Sequence, residues 1–144
     1  MNWMILPLKR YADFQGRSRR MEYWMYYLLC IIVFGILYAA MFATMPAMPQ
    51  PGPDGTIDPA AAQAAMSGGL GIIGILLMIV GLGLLVPTLA VMVRRLHDQD
   101  KSGWMILLSL IPFIGGLILL VFMLLPGTAG PNRFGPDPLE MDPA

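Results

Sequence analysis

Residues 69–104 read GLGIIGILLMIVGLGLLVPTLAVMVRRLHDQDKSGW. No ionisable side chain occurs from residue 69 to 93, and then Arg94-Arg95-Leu96-His97-Asp98 arrive together. A helix rises about 1.5 Å per residue, so roughly 20 apolar residues cross a hydrocarbon core about 30 Å thick. The stretch predicts a membrane-crossing helix that ends in a basic cluster.

The same alternation runs outward in both directions. Lys, Arg, Asp and Glu are absent from 23–53, 59–93 and 102–132. Trimmed at turn residues, these gaps predict an all-α, polytopic membrane protein with three transmembrane helices at about 23–44, 69–93 and 104–125. The third contains fifteen Leu, Ile, Val or Phe. At about 0.3–0.6 kcal/mol each near the bilayer centre, these outweigh Pro112, Gly115 and Gly116.

Composition agrees. Of 144 residues, 57% are hydrophobic and 12% charged, with a mean hydropathy of +0.68. Soluble domains run near half apolar and a quarter charged. Three such helices would far exceed the polar surface available to cover them. Nine basic and nine acidic residues cancel, which gives no net field to attract nucleic acid. The single cysteine, Cys30, makes neither a disulfide framework nor a cysteine zinc site.

Orientation follows from the basic residues. Lys9, Arg10, Arg17, Arg19 and Arg20 precede the first span, and Arg94, Arg95 and Lys101 lie between the second and third. Positive loops stay in the cytoplasm. The expectation is one integral-membrane domain over 1–144 in a bacterial inner membrane. It comprises a cytoplasmic leader (1–22), a Pro-rich external loop (45–68), a cytoplasmic loop (94–103) and a tail (126–144). Three crossings place that tail, with Arg133, outside. The alternative is that Pro112, Gly115 and Gly116 break the third span into a re-entrant hairpin. Trp3, Trp24 and Trp104, with Tyr23, Tyr26 and Tyr27, fall in the leader or at cytoplasmic helix ends, as interfacial anchors do. The long charged leader and long apolar run favour a retained span over a signal peptide cleaved near Ala40-Met41-Phe42-Ala43.

Pro46, Pro49, Pro51, Pro53 and Pro59, with Gly52 and Gly55, predict an extended first loop. Asp58-Pro59 reads as N-cap and first helical position of a lead-in over 60–66. Met41, Met45 and Met48 recur at helical spacing, but no His or Cys accompanies these thioethers, so neither metal nor cofactor is expected. Small residues repeat every seven positions at Ser67, Gly74, Gly81 and Thr88, and again at Ser102, Ser109 and Gly116. Such stripes predict that spans two and three pack directly on each other. Pro87 and Pro112 are expected to kink their helices.

Two polar clusters carry the chemistry. The leader reads Phe14-Gln15-Gly16-Arg17-Ser18-Arg19-Arg20-Met21-Glu22-Tyr23-Trp24. If it is helical from Arg17, then Arg17, Arg20 and Trp24 share a face. In the second cluster Arg94 and Asp98 are spaced for an i,i+4 pair, and Ser102 for an N-cap of the third span.

At these residues the chain resembles the bacterial inner-membrane family known as domain of unknown function 805, the YhaH/YhaI-like proteins. Three motifs carry the resemblance: Gly16-Arg17…Arg20…Glu22-Tyr23-Trp24; Arg94-Arg95-Leu96-His97-Asp98…Ser102-Gly103-Trp104; and Gly127…Gly130…Asn132-Arg133-Phe134-Gly135…Pro138. The resemblance implies a small polytopic inner-membrane protein, with no established activity or catalytic residue. It also implies that the tail motif belongs with the polar clusters.

Candidate lipid- or partner-binding residues are therefore Arg17, Arg20, Trp24, Arg94, Arg95, His97, Asp98 and Trp104. Guanidinium forks match phosphate bidentately, so anionic headgroups of membrane lipids are the expected partner. A membrane protein or a second copy of the chain is the other candidate. An enzyme reading makes His97 a general base held by Asp98 or Asp100, with Arg94 and Arg95 neutralising a lipid phosphate. Adjacent helical residues point about 100° apart, so a His97–Asp98 dyad needs a turn there. An oligomeric channel or transporter has no intramembrane charge to build on.

Overall fold

The computed structural model describes residues 3–45, 49–53, 55–68 and 71–141. The chain is helical, with no strand among the described residues. In order come α1 (Leu6–Lys9), α2 (Arg20–Ala43), α3 (Pro59–Gly68), α4 (Ile72–Asp98), a 3-10 helix (Gly103–Leu110), α5 (Ile114–Leu124) and α6 (Pro138–Met141). Two compact units divide them: Met1–Leu29 with Leu84–Ala144, and Cys30–Gly83.

The predicted first and second spans are α2 and α4, both long and apolar enough to cross a membrane. Only 6% of the most apolar window of each is buried. Among the described residues the largest fully buried side chains are instead Arg94 and Arg95. In water this distribution is inverted; in a bilayer, lipid tails solvate the apolar faces and internal partners satisfy the polar groups. The chain is thus a helical membrane protein with three apolar segments, two of full crossing length and one shorter.

In the Cys30–Gly83 unit, the Asp58 carboxylate accepts the Ala60 N–H at 2.9 Å and Pro59 opens α3, as the N-cap reading predicts. Pro46, Met48 and residues 69–70 of the predicted second span lie outside the described residues. A Cβ on Gly81 would lie 4.0 Å from the Phe34 ring of α2. In the other unit, the Thr88 hydroxyl stands 3.2 Å from the Tyr26 hydroxyl, also on α2. Gly116 meets open space, and the exposed Ser109 hydroxyl donates back to the Ile106 carbonyl at 2.7 Å. The second and third apolar segments do pack on each other, through Leu96 with Leu119 and Met123, but not through Ser109 and Gly116. At Gly81 and Thr88 the stripe of α4 faces the first span.

The third apolar segment also departs from one continuous helix over 104–125. Ser102 does cap it, accepting the Trp104 N–H at 3.4 Å, but the first limb is a 3-10 helix ending at Leu110. The chain reverses through Ile111, Pro112 and Phe113, and α5 packs back against the first limb. Gly115 permits this approach, since a Cβ there would overlap the Leu108 carbonyl. Phe113, at the tip, is 93% exposed and adopts φ 63°. Limbs of eight and eleven residues reach only about 16 Å each, half a hydrocarbon core. Leu119 and Met123 of α5 form a small apolar core with Leu96, flanked by Tyr23, Trp24 and Phe122.

Where α4 ends, the chain leaves in a Schellman turn. Lys101 N–H bonds the Leu96 carbonyl and Asp100 N–H the His97 carbonyl, each at 3.0 Å. Asp100 takes the left-handed position, with φ 55°, which Asp tolerates better than most residues.

A polar cluster closed by the tail

A helix leaves its last carbonyls without intrahelical donors. In α4 the tail supplies them. The Asp98 carbonyl accepts the Thr128 N–H at 2.8 Å and the Thr128 hydroxyl at 3.1 Å. The His97 carbonyl accepts the Asn132 side-chain amide at 2.9 Å. The service is returned at the end of α5, where the Gln99 side-chain amide donates to the Phe122 carbonyl and Arg95 to the Leu125 carbonyl.

The leader enters the same network. Ser18 N–H bonds the Arg94 carbonyl at 3.2 Å. The Arg17 guanidinium donates through Nε to the Asp98 carboxylate at 3.0 Å. It also donates to the carbonyls of Thr128 and Gly130, both at 2.6 Å. Arg95 shares Asp98 with it. Arg94 pairs with Glu22 at 2.9 Å and donates to the Asp13 carbonyl, which ties α4 to the leader and to the start of α2. The side chains of Arg17, Arg94, Arg95, Glu22 and Asp98 are all at least nine-tenths buried.

Hydrogen bonds fix the protonation of several groups. His97 Nδ1 carries the proton, because its partner at 3.2 Å is the Gly16 carbonyl, which only accepts. The ring stacks on Phe134 with centroids 3.8 Å apart. The Leu139 N–H, then that of Gly130 and the charges of Arg17 and Arg19, hold the Asp137 carboxyl below the ordinary aspartate range. In the leader the Arg10 guanidinium does the same for Asp13.

Several expectations change accordingly. Arg17 lies before α2 rather than in it, so it does not share a helical face with Arg20 and Trp24. Arg94 pairs with Glu22 and not Asp98, whose partner within α4 is Arg95 at i,i+3. His97 and Asp98 take separate partners and form no dyad. Of the eight candidate residues, Arg17, Arg94, Arg95 and Asp98 are buried and bonded within the chain. Trp24 and His97 are half-buried, and Arg20 and Trp104 are exposed.

The expected separation of the tail from the leader is corrected too. Arg17 bonds Thr128 and Gly130 directly, so leader, loop and tail meet on one face. Sequence reasoning left out Glu22, Gln99, Gly127, Thr128, Asn132 and Asp137. The third motif holds the signal for Gly127 and Asn132, but a continuous third span hides it by placing them across the bilayer.

Fold and site together define a class: a helical membrane protein whose leader, interhelical loop and tail close on one buried ionic cluster. The particular family is equally plain. The model of the family described as protein of unknown function (DUF805) matches residues 11–136, and the chain belongs to that family. It is similar to inner membrane protein YhaH of Escherichia coli K12, 43% identical over 138 residues that cover 96% of this chain and 97% of the relative. It is also similar to inner membrane protein YhaI of the same strain, 38% identical over 138 residues and 96% of each chain. No solved structure matches.

Proposed function

We propose that the protein lies in the inner membrane with leader, 94–103 loop and tail in the cytoplasm, and that this face contacts anionic lipid headgroups. On this reading α2 and α4 cross the bilayer and the third apolar segment is a hairpin that enters and leaves on the cytoplasmic side. Eight of the nine basic residues lie in the leader and loop, the bias of cytoplasmic segments.

The observation that carries the lipid reading is the division of labour among the arginines. Arg17, Arg94 and Arg95 are used inside the fold, whereas Arg20 is exposed at the start of α2, four residues from the interfacial Trp24. Its hydrogen bond to the Leu124 carbonyl is long, at 3.4 Å. An exposed guanidinium at headgroup depth attracts anionic lipid by about 1 kcal/mol. The test is mass spectrometry of lipids retained by protein purified from nanodiscs of mixed phosphatidylglycerol and phosphatidylcholine. Enrichment of the anionic lipid that falls in Arg20→Ala supports the reading; retention in proportion to the mixture overturns it.

A further inference from the structure

Beside Arg20 lies a cleft of about 630 Å³. Four arginines line it, Arg17, Arg19, Arg20 and Arg95, against two carboxylates, Asp98 and Asp137. Both carboxylates are already engaged: Asp98 by Arg17 and Arg95, Asp137 by the N–H groups of Gly130 and Leu139, each within 3.0 Å. Arg19 is engaged by the Pro138 carbonyl, and Arg17, Arg20 and Arg95 against the two carboxylates leave the cleft an excess of one positive charge, that of a phosphodiester with opposite sign. Buried Arg95 also keeps an Nε–H that donates to nothing among the described residues.

The remaining walls are apolar. Met21 and Leu139 are 57% and 66% exposed, Leu124 is 53% exposed, and Trp24 stands half-buried beside them. Trp24 and Leu124 belong to α2 and α5, so this wall continues into the apolar segments of the same unit. A small hydrophilic anion leaves that wall uncovered, and a neutral lipid leaves the excess guanidinium charge unmatched. An amphiphile with a phosphate and an acyl chain satisfies both.

We infer that this cleft is a discrete site for one anionic phospholipid drawn from the surrounding leaflet, its phosphate between Arg20 and Arg95 and its chain along Trp24 and Leu124. The inference deepens the headgroup reading and rests on it, adding a defined place and a stoichiometry. The 630 Å³ volume lies within the roughly 300–1,000 Å³ range of ligand pockets. It takes the headgroup and first part of a chain, and the rest stays in the bilayer.

The experiment uses full-length protein with Trp3→Phe and Trp104→Phe, so that Trp24 alone fluoresces. It is reconstituted in nanodiscs with acyl-brominated phosphatidylglycerol or acyl-brominated phosphatidylcholine. The expected result is stronger quenching by the anionic lipid, saturating at one lipid per protein. Arg20→Ala should weaken that saturable binding about fivefold. Ala129→Phe fills the cleft while keeping every arginine in the chain and should abolish it. Equal quenching by both lipids, or an anionic excess unaffected by Ala129→Phe, overturns the site. If bulk retention of phosphatidylglycerol persists in that case, the headgroup reading stands without it. Displacement by millimolar glycerol phosphate also overturns it, since the ligand is then a soluble phosphate ester.

Discussion

Gly127 lies so close to the carboxylate of Asp98 that a Cβ there would come within 2.6 Å of the carboxyl carbon and overlap Oδ2. The tail can cap the end of α4 only because this residue has no side chain. Gly127→Ala should therefore displace Thr128 from the Asp98 carbonyl and release the tail. Hydrogen exchange is the readout, with the Thr128 amide losing its protection while the middle of α4 keeps its own.

Asp98 answers two buried arginines, Arg17 and Arg95. Asp98→Ala leaves Arg95 without its carboxylate and Arg17 with only Asp137, 3.9 Å away, and breaking a buried pair in this way costs about 3–5 kcal/mol. Asp100 pairs with Arg133 at 3.1 Å, but both side chains are about half exposed. Asp100→Ala should cost less than about 1 kcal/mol. Reversible unfolding in mixed micelles measures both, and similar costs for the two would contradict the buried network.

The lowered pKa of Asp137 sets a pH dependence. A carboxyl with a folded-state pKa below its unfolded value contributes stability that is full above the unfolded value and vanishes as pH falls through the folded one. Tail docking should be weaker in Asp137→Asn than in the natural chain at neutral pH, and the difference should narrow as the pH falls below the ordinary aspartate range. Limited proteolysis of the tail across pH 7 to 3 follows the difference between the two proteins.

Phe113 holds a positive φ at the hairpin tip, a conformation that costs a bulky L-residue about 1–2 kcal/mol. It is almost wholly exposed, so truncation removes little packing within the chain. Phe113→Gly should stabilise the hairpin by about 1 kcal/mol, measured by unfolding in the same micelles.

Much of this fold is legible in the residues. The charge-free runs mark α2 and α4, and Asp58-Pro59 and Ser102 mark helix starts by local rules of capping. The third segment is not legible in the same way. Fifteen large apolar residues read identically whether the chain crosses or turns back, and the reversal is set by Pro112, Phe113 and the bare Cα of Gly115 against Leu108. The ionic cluster was half legible. Arg94, Arg95 and Asp98 stand out along the chain, but their partners at Glu22, Thr128 and Leu125 lie 30 to 72 residues away. No spacing rule reaches that far. Placing the tail across the bilayer hides Thr128 and Leu125 as partners, so arginines that serve the interior read as free for lipid.

Leader and tail on the same membrane face is the relationship from which the rest follows. In a Cys30→Ser background, single cysteines at Lys9→Cys and Glu140→Cys, both exposed positions, can be probed in intact spheroplasts with a membrane-impermeant maleimide. The account predicts that neither reacts until the membrane is permeabilised, and that both then do. Labelling of Glu140→Cys in intact spheroplasts, with Lys9→Cys still protected, would contradict it.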